Sequence, residues 1–127
     1  MSLEILIVAG AAELGQLWQG HLKRRGAAVD VTGHVAAAAA LIEHKGYHVV
    51  IIDIQTDDGE VLPLTDLIGF RWPETRVILV TRDGFFSDGS VFGLGANVHA
   101  MLSPHVPPDD LVALVEYHGG QPPPRPI

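Results

Sequence analysis

Five short apolar runs alternate along the chain with segments of helical periodicity, and this alternation limits the possible folds more than any other feature. The apolar runs are typical of strands and occupy residues 3–8, 27–31, 47–53, 75–81 and 97–102. Helical patterns follow at residues 13–26, 35–46, 57–70, 82–96 and 107–120. Because parallel strands are joined by helical crossovers, this order predicts a doubly wound, three-layer α/β domain with a parallel sheet.

Glycine, proline and tryptophan residues give further local predictions. Gly26 and Gly46 follow the first two helical segments, where helix stops belong. The segment at residues 82–96 contains four glycines, which weakens its helical pattern. Trp18 lies on the apolar stripe of the first helix and is expected in the core, whereas Trp72 is expected to be partly exposed.

The size and composition indicate one folded domain. The 127 residues are 47% hydrophobic and 18% charged, which is enough apolar material for a core. We expect the domain to span residues 1–120 and the proline-rich tail, residues 121–127, to be disordered or to begin a linker. With no apolar run near the roughly 20 residues of a membrane span and no signal-peptide pattern, a cytoplasmic location is expected.

The residue content excludes several kinds of site. With no cysteine, the chain cannot form disulfides, thiolate metal sites or a cysteine nucleophile. A net charge of -7 with only 8 Lys and Arg residues disfavours direct nucleic-acid binding, which depends on neutralising phosphates. The 7 histidines show no recognised metal-ligand spacing. Since no Ser-His-Asp constellation is legible either, we do not expect an enzyme.

One carboxylate stands out at the end of the third apolar run. Residues 49–52 are all Val or Ile, and Asp53 follows directly. An ionised carboxylate in apolar surroundings is costly unless it is paired, so Asp53 belongs at an exposed strand end or in a site. Ligand sites in doubly wound sheets lie at the carboxyl ends of the strands, which makes Asp53 a candidate site residue.

Asp53 ends the third apolar run, Thr81 ends the fourth, and Ser103-Pro104 follows the fifth. With these residues in this order, the chain resembles over about residues 3–118 the receiver domain of two-component response regulators. Asp53 matches the aspartate that accepts a phosphoryl group in that family. Thr81 matches the Ser or Thr that ends the fourth strand and contacts the phosphoryl oxygens. Ser103 and Pro104 stand where the family has Lys-Pro after the fifth strand. The resemblance implies a flavodoxin-like (βα)5 fold with strand order 2-1-3-4-5.

The departures from the family concern the metal ligands and the lysine that neutralise the phosphoryl group. Receivers carry an acidic pair after the first strand that holds Mg²⁺, but Ala9 and Gly10 stand there and offer no side-chain oxygen. Ser103 replaces the family's lysine. Because phosphoryl transfer needs positioned positive charge, we expect Asp53 to lack its chemistry and Mg²⁺ to be absent or weakly bound. Thr81, Ser103 and Pro104 are then relics of a phosphate site.

These departures predict a degenerate receiver, or pseudo-receiver, that acts as a protein-interaction module in bacterial signal transduction without phosphorylation of Asp53. The expected partner is a protein of a signalling pathway or a second copy of the chain, with no direct contact to nucleic acid or membrane. The resemblance implies a contact face within about residues 91–118, and we expect it to include Phe92, Leu94, Val112 and Tyr117.

Two alternatives remain open. The first is a working receiver that is phosphorylated on Asp53, with Mg²⁺ bound by another route. The second is a flavodoxin-like domain that binds a small ligand or nucleotide in the same crevice. Residues 9–15, AGAAELG, lack the Lys-Ser/Thr and the second close glycine of a phosphate loop, which counts against this second alternative.

Overall fold

The computed structural model describes residues 3–53, 61–80 and 98–120. These ranges contain five strands, β1 (Glu4–Val8), β2 (Ala28–Thr32), β3 (Val49–Asp53), β4 (Arg76–Val80) and β5 (Val98–Leu102). They also contain four helices, α1 (Ala12–Arg24), α2 (Val35–His44), α3 (Val61–Arg71) and α4 (Pro108–Gly120). The weak helical pattern at residues 82–96 and the tail at 121–127 lie outside the described residues. Across the described ranges, no helix has both the length and the apolar character that a membrane span requires.

The five strands form one parallel sheet with the order β2-β1-β3-β4-β5. This order confirms the predicted flavodoxin-like fold, in which the chain first winds to one side of β1 and then to the other. In the centre of the sheet, Ile51 of β3 lies opposite Ile7 of β1 and Ile78 of β4. The carboxyl ends of β1, β3 and β4 therefore meet at one edge.

The core has two parts, one on each face of the sheet. On one face α1 and α4 cover a cluster that contains Ile51, and on the other α2 and α3 cover a cluster that contains Ile52. All five residues of β3 are buried, as expected for a continuous apolar strand covered on both faces. Trp18 of α1 is fully buried in the first cluster, which confirms its predicted place in the core.

Gly26 ends α1 as predicted. Its φ of 92° lies in the left-handed region that glycine adopts without a steric penalty. The backbone N–H of Gly26 donates to the carbonyl oxygen of Lys23 at 2.9 Å, and that of Ala27 donates to Leu22 at 3.2 Å. This pair of bonds satisfies carbonyls that the helix end would otherwise leave without partners.

The prediction that Gly46 stops α2 is wrong. The helix ends at His44, and the next residue, Lys45, is already extended with φ −145° and ψ 132°. Gly46 instead lies against the indole of Trp72, where an added Cβ would come within 3.0 Å of Cε3. The half-buried Trp72 donates its Nε1–H to the carbonyl oxygen of Ile42 at 2.7 Å, and its partial exposure confirms the prediction.

A polar cluster joins β1, β2 and the residues that precede β3. Tyr47 donates its hydroxyl to Asp30 Oδ2 at 2.7 Å, and Lys45 Nζ lies 3.1 Å from the same oxygen. Lys45 Nζ also lies 3.4 Å from Glu4 Oε2, an ion pair without an aligned hydrogen bond. The hydrogen bond from Tyr47 lowers the pKa of Asp30. The pKa of Tyr47 is raised, mainly because the side chain is buried and also because it donates this hydrogen bond to Asp30.

Candidate functional site at the carboxyl edge of the sheet

Asp53 is the last residue of β3 and lies in the centre of the carboxyl edge. It pairs in register with Val80, the last residue of β4, and its neighbour Ile52 pairs with Val8 of β1. The strand order reverses between β1 and β3, which is where doubly wound sheets place their ligand sites. Asp53 is 5% exposed, so the predicted site residue is a buried carboxylate at this point. Thr81 follows β4 directly and lies outside the described residues.

Ala9 and Gly10 occupy the two positions after β1 where receivers carry an acidic pair. Ala9, directly after β1, is 2% exposed and packs in the cluster beneath α1 and α4. Its backbone N–H donates to the carbonyl oxygen of Thr32 at 2.9 Å, which extends the pairing of β1 with β2. Gly10 is exposed. Neither residue offers the side-chain oxygen that Mg²⁺ prefers, so the residues at this position do not fit the ion.

The rest of the described chain offers no cluster of metal ligands either. In residues 3–53, 61–80 and 98–120, no three His, Asp or Glu side chains form a group that could hold a metal ion. Glu13, the acid nearest Ala9 and Gly10 in the sequence, is exposed in the first turn of α1. An acid in that position interacts favourably with the helix dipole. The expectation that Mg²⁺ is absent or weakly bound stays a prediction.

Ser103, in the lysine position, organises a turn. Its Oγ accepts a hydrogen bond from the backbone N–H of His105 at 3.1 Å. Its carbonyl oxygen accepts another from the N–H of Val106, also at 3.1 Å. Pro104 lies half-buried within the same turn, which leads from β5 into α4. Serine hydroxyls commonly stabilise turns in this way, and Ser103 brings no positive charge to the edge.

Of the two residues of the predicted contact face that the structure describes, one is exposed and the other is buried. Tyr117 of α4 is 58% exposed, and its ring meets that of His118 edge-on with centroids 5.2 Å apart. Val112 is only 7% exposed and packs in the core, so we correct its assignment to the contact face. It lies one residue after Leu111, on the side of α4 that faces the sheet. Phe92 and Leu94 lie outside the described residues.

Sequence reasoning missed one large exposed side chain, Phe70 in the last turn of α3. It is 88% exposed, more than Tyr117 or Leu17. A signal for it was present, because Phe70 follows the buried Ile68 by two positions. Residues two apart on a helix point in nearly opposite directions, so Phe70 had to face away from the core.

Comparison with solved structures identifies the architecture. A receiver domain protein (CheY-like) from Methanospirillum hungatei superposes with a TM-score of 0.84 and is 24% identical, with 94% of this chain and 95% of that one covered. The chain has the receiver-domain fold. The signal receiver domain of a putative Luxo repressor protein from Vibrio parahaemolyticus gives a TM-score of 0.81 at 21% identity, with 94% and 92% covered. At this level of identity the receiver domains establish the fold.

The sequence comparisons are more limited. No family model matches the chain. The photosynthetic apparatus regulatory protein RegA of Rhodobacter capsulatus is 25% identical over 63 residues. That match spans 50% of this chain and 34% of RegA, so the chain covers about a third of its curated relative. The geometry therefore establishes the receiver fold, and the partial match to RegA carries no chemistry over to this chain.

Proposed function

We propose that this chain is a receiver-type signalling domain that works as a protein-interaction module without phosphorylation of Asp53. The observation that carries the proposal is the residue set at the carboxyl edge. A buried aspartate stands there beside Ala9 and Gly10, and Ser103 replaces a lysine. The fold supports the signalling role, and the residue set supports the loss of phosphoryl chemistry.

The electrostatics of phosphoryl transfer explain why this residue set matters. The transferred group spreads negative charge over its oxygens, and catalysis consists mainly of positioning and of positive charge held nearby. In oxyanion holes, where fixed donors stabilise developing negative charge in the same way, removal of a single donor lowers the rate by about 10²–10³. Here both the ligands of the metal and the lysine are replaced, so we expect Asp53 to react with a phosphodonor far more slowly than a receiver's aspartate.

A role in protein contact then becomes the main function. The exposed Tyr117 on α4 offers the kind of aromatic side chain that is enriched at the centres of interfaces. The partner is a protein of a bacterial signalling pathway or a second copy of this chain. The net charge of -7 on this chain makes its direct contact with the phosphates of nucleic acid unfavourable.

The proposal is tested by incubation of the protein with acetyl phosphate and Mg²⁺, followed by intact mass spectrometry. A receiver domain with a complete acidic pair and lysine serves as the positive control for the reagents. We expect that control to gain one phosphoryl group and this chain to remain unmodified. A stoichiometric adduct on this chain that is absent from the Asp53→Asn variant would show that it is a working receiver.

A further inference from the structure

A cavity of about 370 Å³ lies at the amino-terminal edge of the sheet, on the opposite side from Asp53. Three chain segments line it: residues 46–48 before β3, residues 72–76 at the start of β4, and residues 118–119 near the end of α4. Small-ligand sites in proteins have volumes of about 300–1,000 Å³ and combine apolar walls with a few polar groups. The cavity falls at the lower end of this range.

The walls of this cavity are fixed by packing and hydrogen bonds. Trp72 is held at one end by its bond to Ile42 and on its ring face by Gly46. Thr75 donates its hydroxyl to the carbonyl oxygen of Tyr47 at 2.6 Å, which joins two of the lining segments. Since these contacts lie within the chain itself, the cavity is already formed before any ligand enters.

Three of the residues that line the cavity carry groups that can bind an anion: His48, Arg76 and His118. Arg76 is half-buried at the start of β4, and His118 is half-buried near the end of α4. His48 accepts a hydrogen bond at Nδ1 from the backbone N–H of Glu4 at 2.9 Å. In the neutral ring the proton is therefore on Nε2, which makes this nitrogen a hydrogen-bond donor.

Other features at this edge oppose a strongly charged anion. Glu74 lines the cavity and is exposed. The helices α2, α3 and α4 all end near this edge, and helix carboxyl ends carry partial negative charge. A divalent phosphate would meet this unfavourable field with little apolar surface to bury. A monoanion with an apolar body would meet less repulsion and could also contact Trp72 and Pro73.

We propose that this cavity binds a small carboxylate with a planar apolar body. The carboxylate is held by Arg76 with the two imidazoles of His48 and His118, and the body packs against Trp72 and Pro73. A guanidinium forms strong, charge-assisted hydrogen bonds to a carboxylate, which supplies the specificity. The site lies across the sheet from Asp53 and does not depend on the function proposed for that edge.

The test is a titration of the ¹⁵N-labelled chain with indole-3-acetate, followed by ¹H–¹⁵N correlation spectra. The neutral indole-3-acetamide is the matched probe, because it has the same body without the charge. We expect saturable shifts concentrated on the amides of residues 46–48, 74–76 and 118–119. We also expect the acid to bind about tenfold more tightly than the amide, as a charge-assisted bond implies.

Two variants separate the role of Arg76 from general effects of charge. Arg76→Gln should weaken binding of the acid by about tenfold and leave the amide unchanged. Arg24→Gln, an exposed arginine on α1 outside the cavity, should change neither affinity. If Arg76→Gln does not fold, the acid and amide are compared on the wild-type chain alone. Equal affinity for the two probes, shifts elsewhere in the chain, or no saturation at about 10 mM acid would overturn the proposal.

Discussion

The hydroxyl of Ser103 accepts a hydrogen bond from the backbone N–H of His105 at 3.1 Å, within the turn that joins β5 to α4. A receiver would extend a lysine from this position towards the phosphoryl group. Here the Ser103 side chain stabilises the turn in which it lies, while Ala9 after β1 is packed in the core. The position of a metal-binding carboxylate and the position of the lysine thus have structural roles instead.

Restoring the missing groups should restore the chemistry. We expect the variant with Ala9→Asp, Gly10→Asp and Ser103→Lys to gain one phosphoryl group from acetyl phosphate and Mg²⁺, because carboxylates supply the oxygen ligands and lysine the charge. Intact mass spectrometry measures the adduct, and the same variant with Asp53→Asn is the control. Since Ala9 is buried, circular dichroism must first show that the variant is folded. A folded variant that stays unmodified would show that the missing charges are not what prevents the reaction.

The hydrogen bond from Tyr47 to Asp30 should make a pH-dependent contribution to stability. The pKa of Asp30 is lowered from 3.8 in the folded state, so the ionised carboxylate stabilises the fold above that value. This contribution is lost as the pH falls through the folded-state pKa. Because Asp30 remains 43% exposed, we expect Tyr47→Phe to reduce the free energy of unfolding by only about 1 kcal/mol near neutral pH.

Urea unfolding at about pH 7 and about pH 3 measures this difference, which should shrink at the lower pH as Asp30 becomes protonated. Tyr117→Phe removes a hydroxyl from a tyrosine that is 58% exposed and is the matched control, with no change expected at either pH. An effect of Tyr47→Phe that is equal at both pH values would contradict the assigned role of Asp30.

Gly46 should tolerate no side chain because of its contact with Trp72. An added Cβ would lie 3.0 Å from Cε3 of an indole whose position is fixed by its hydrogen bond to Ile42. We expect Gly46→Ala to lower the free energy of unfolding by about 1–3 kcal/mol, as overpacking commonly does. Gly120→Ala is the control, since its Cβ would have open space. Equal midpoints for the two variants in urea unfolding would show that the indole can move aside.

Tyr117 should contribute to association of the chain. We expect a dimer at high protein concentration, and we expect Tyr117→Ser to raise its dissociation constant by about tenfold, as loss of an interface aromatic often does. Phe70→Ser, which removes the 88% exposed ring on α3, is the control and should leave the constant unchanged. Sedimentation velocity over a concentration series gives both values. Dimers that weaken equally in the two variants would rule out a specific role for Tyr117.

Local sequence pattern predicted some features of the fold and failed for others. The apolar runs predicted all five strands, with ends that shift by at most two residues. The pattern also predicted that Gly26 stops α1, because a helix end is a local event. It failed for Gly46, whose neighbour Trp72 is 26 residues away in the sequence. It also failed for Val112, since the side of α4 that is buried depends on the sheet beneath it.

The alternation of strands and helices and the position of Asp53 at the end of β3 follow from local sequence pattern, because periodicity and residue type act over a few neighbouring residues. The residue types alone also show that Ala9, Gly10 and Ser103 bring no charge to that edge. Which distant side chains meet depends on the folded arrangement, as in the bond between Tyr47 and Asp30 and in the cavity lined by three separate segments. The physical reason is that strand order and helix packing fix these long-range contacts, and no local pattern encodes the distance between segments that are far apart in the chain.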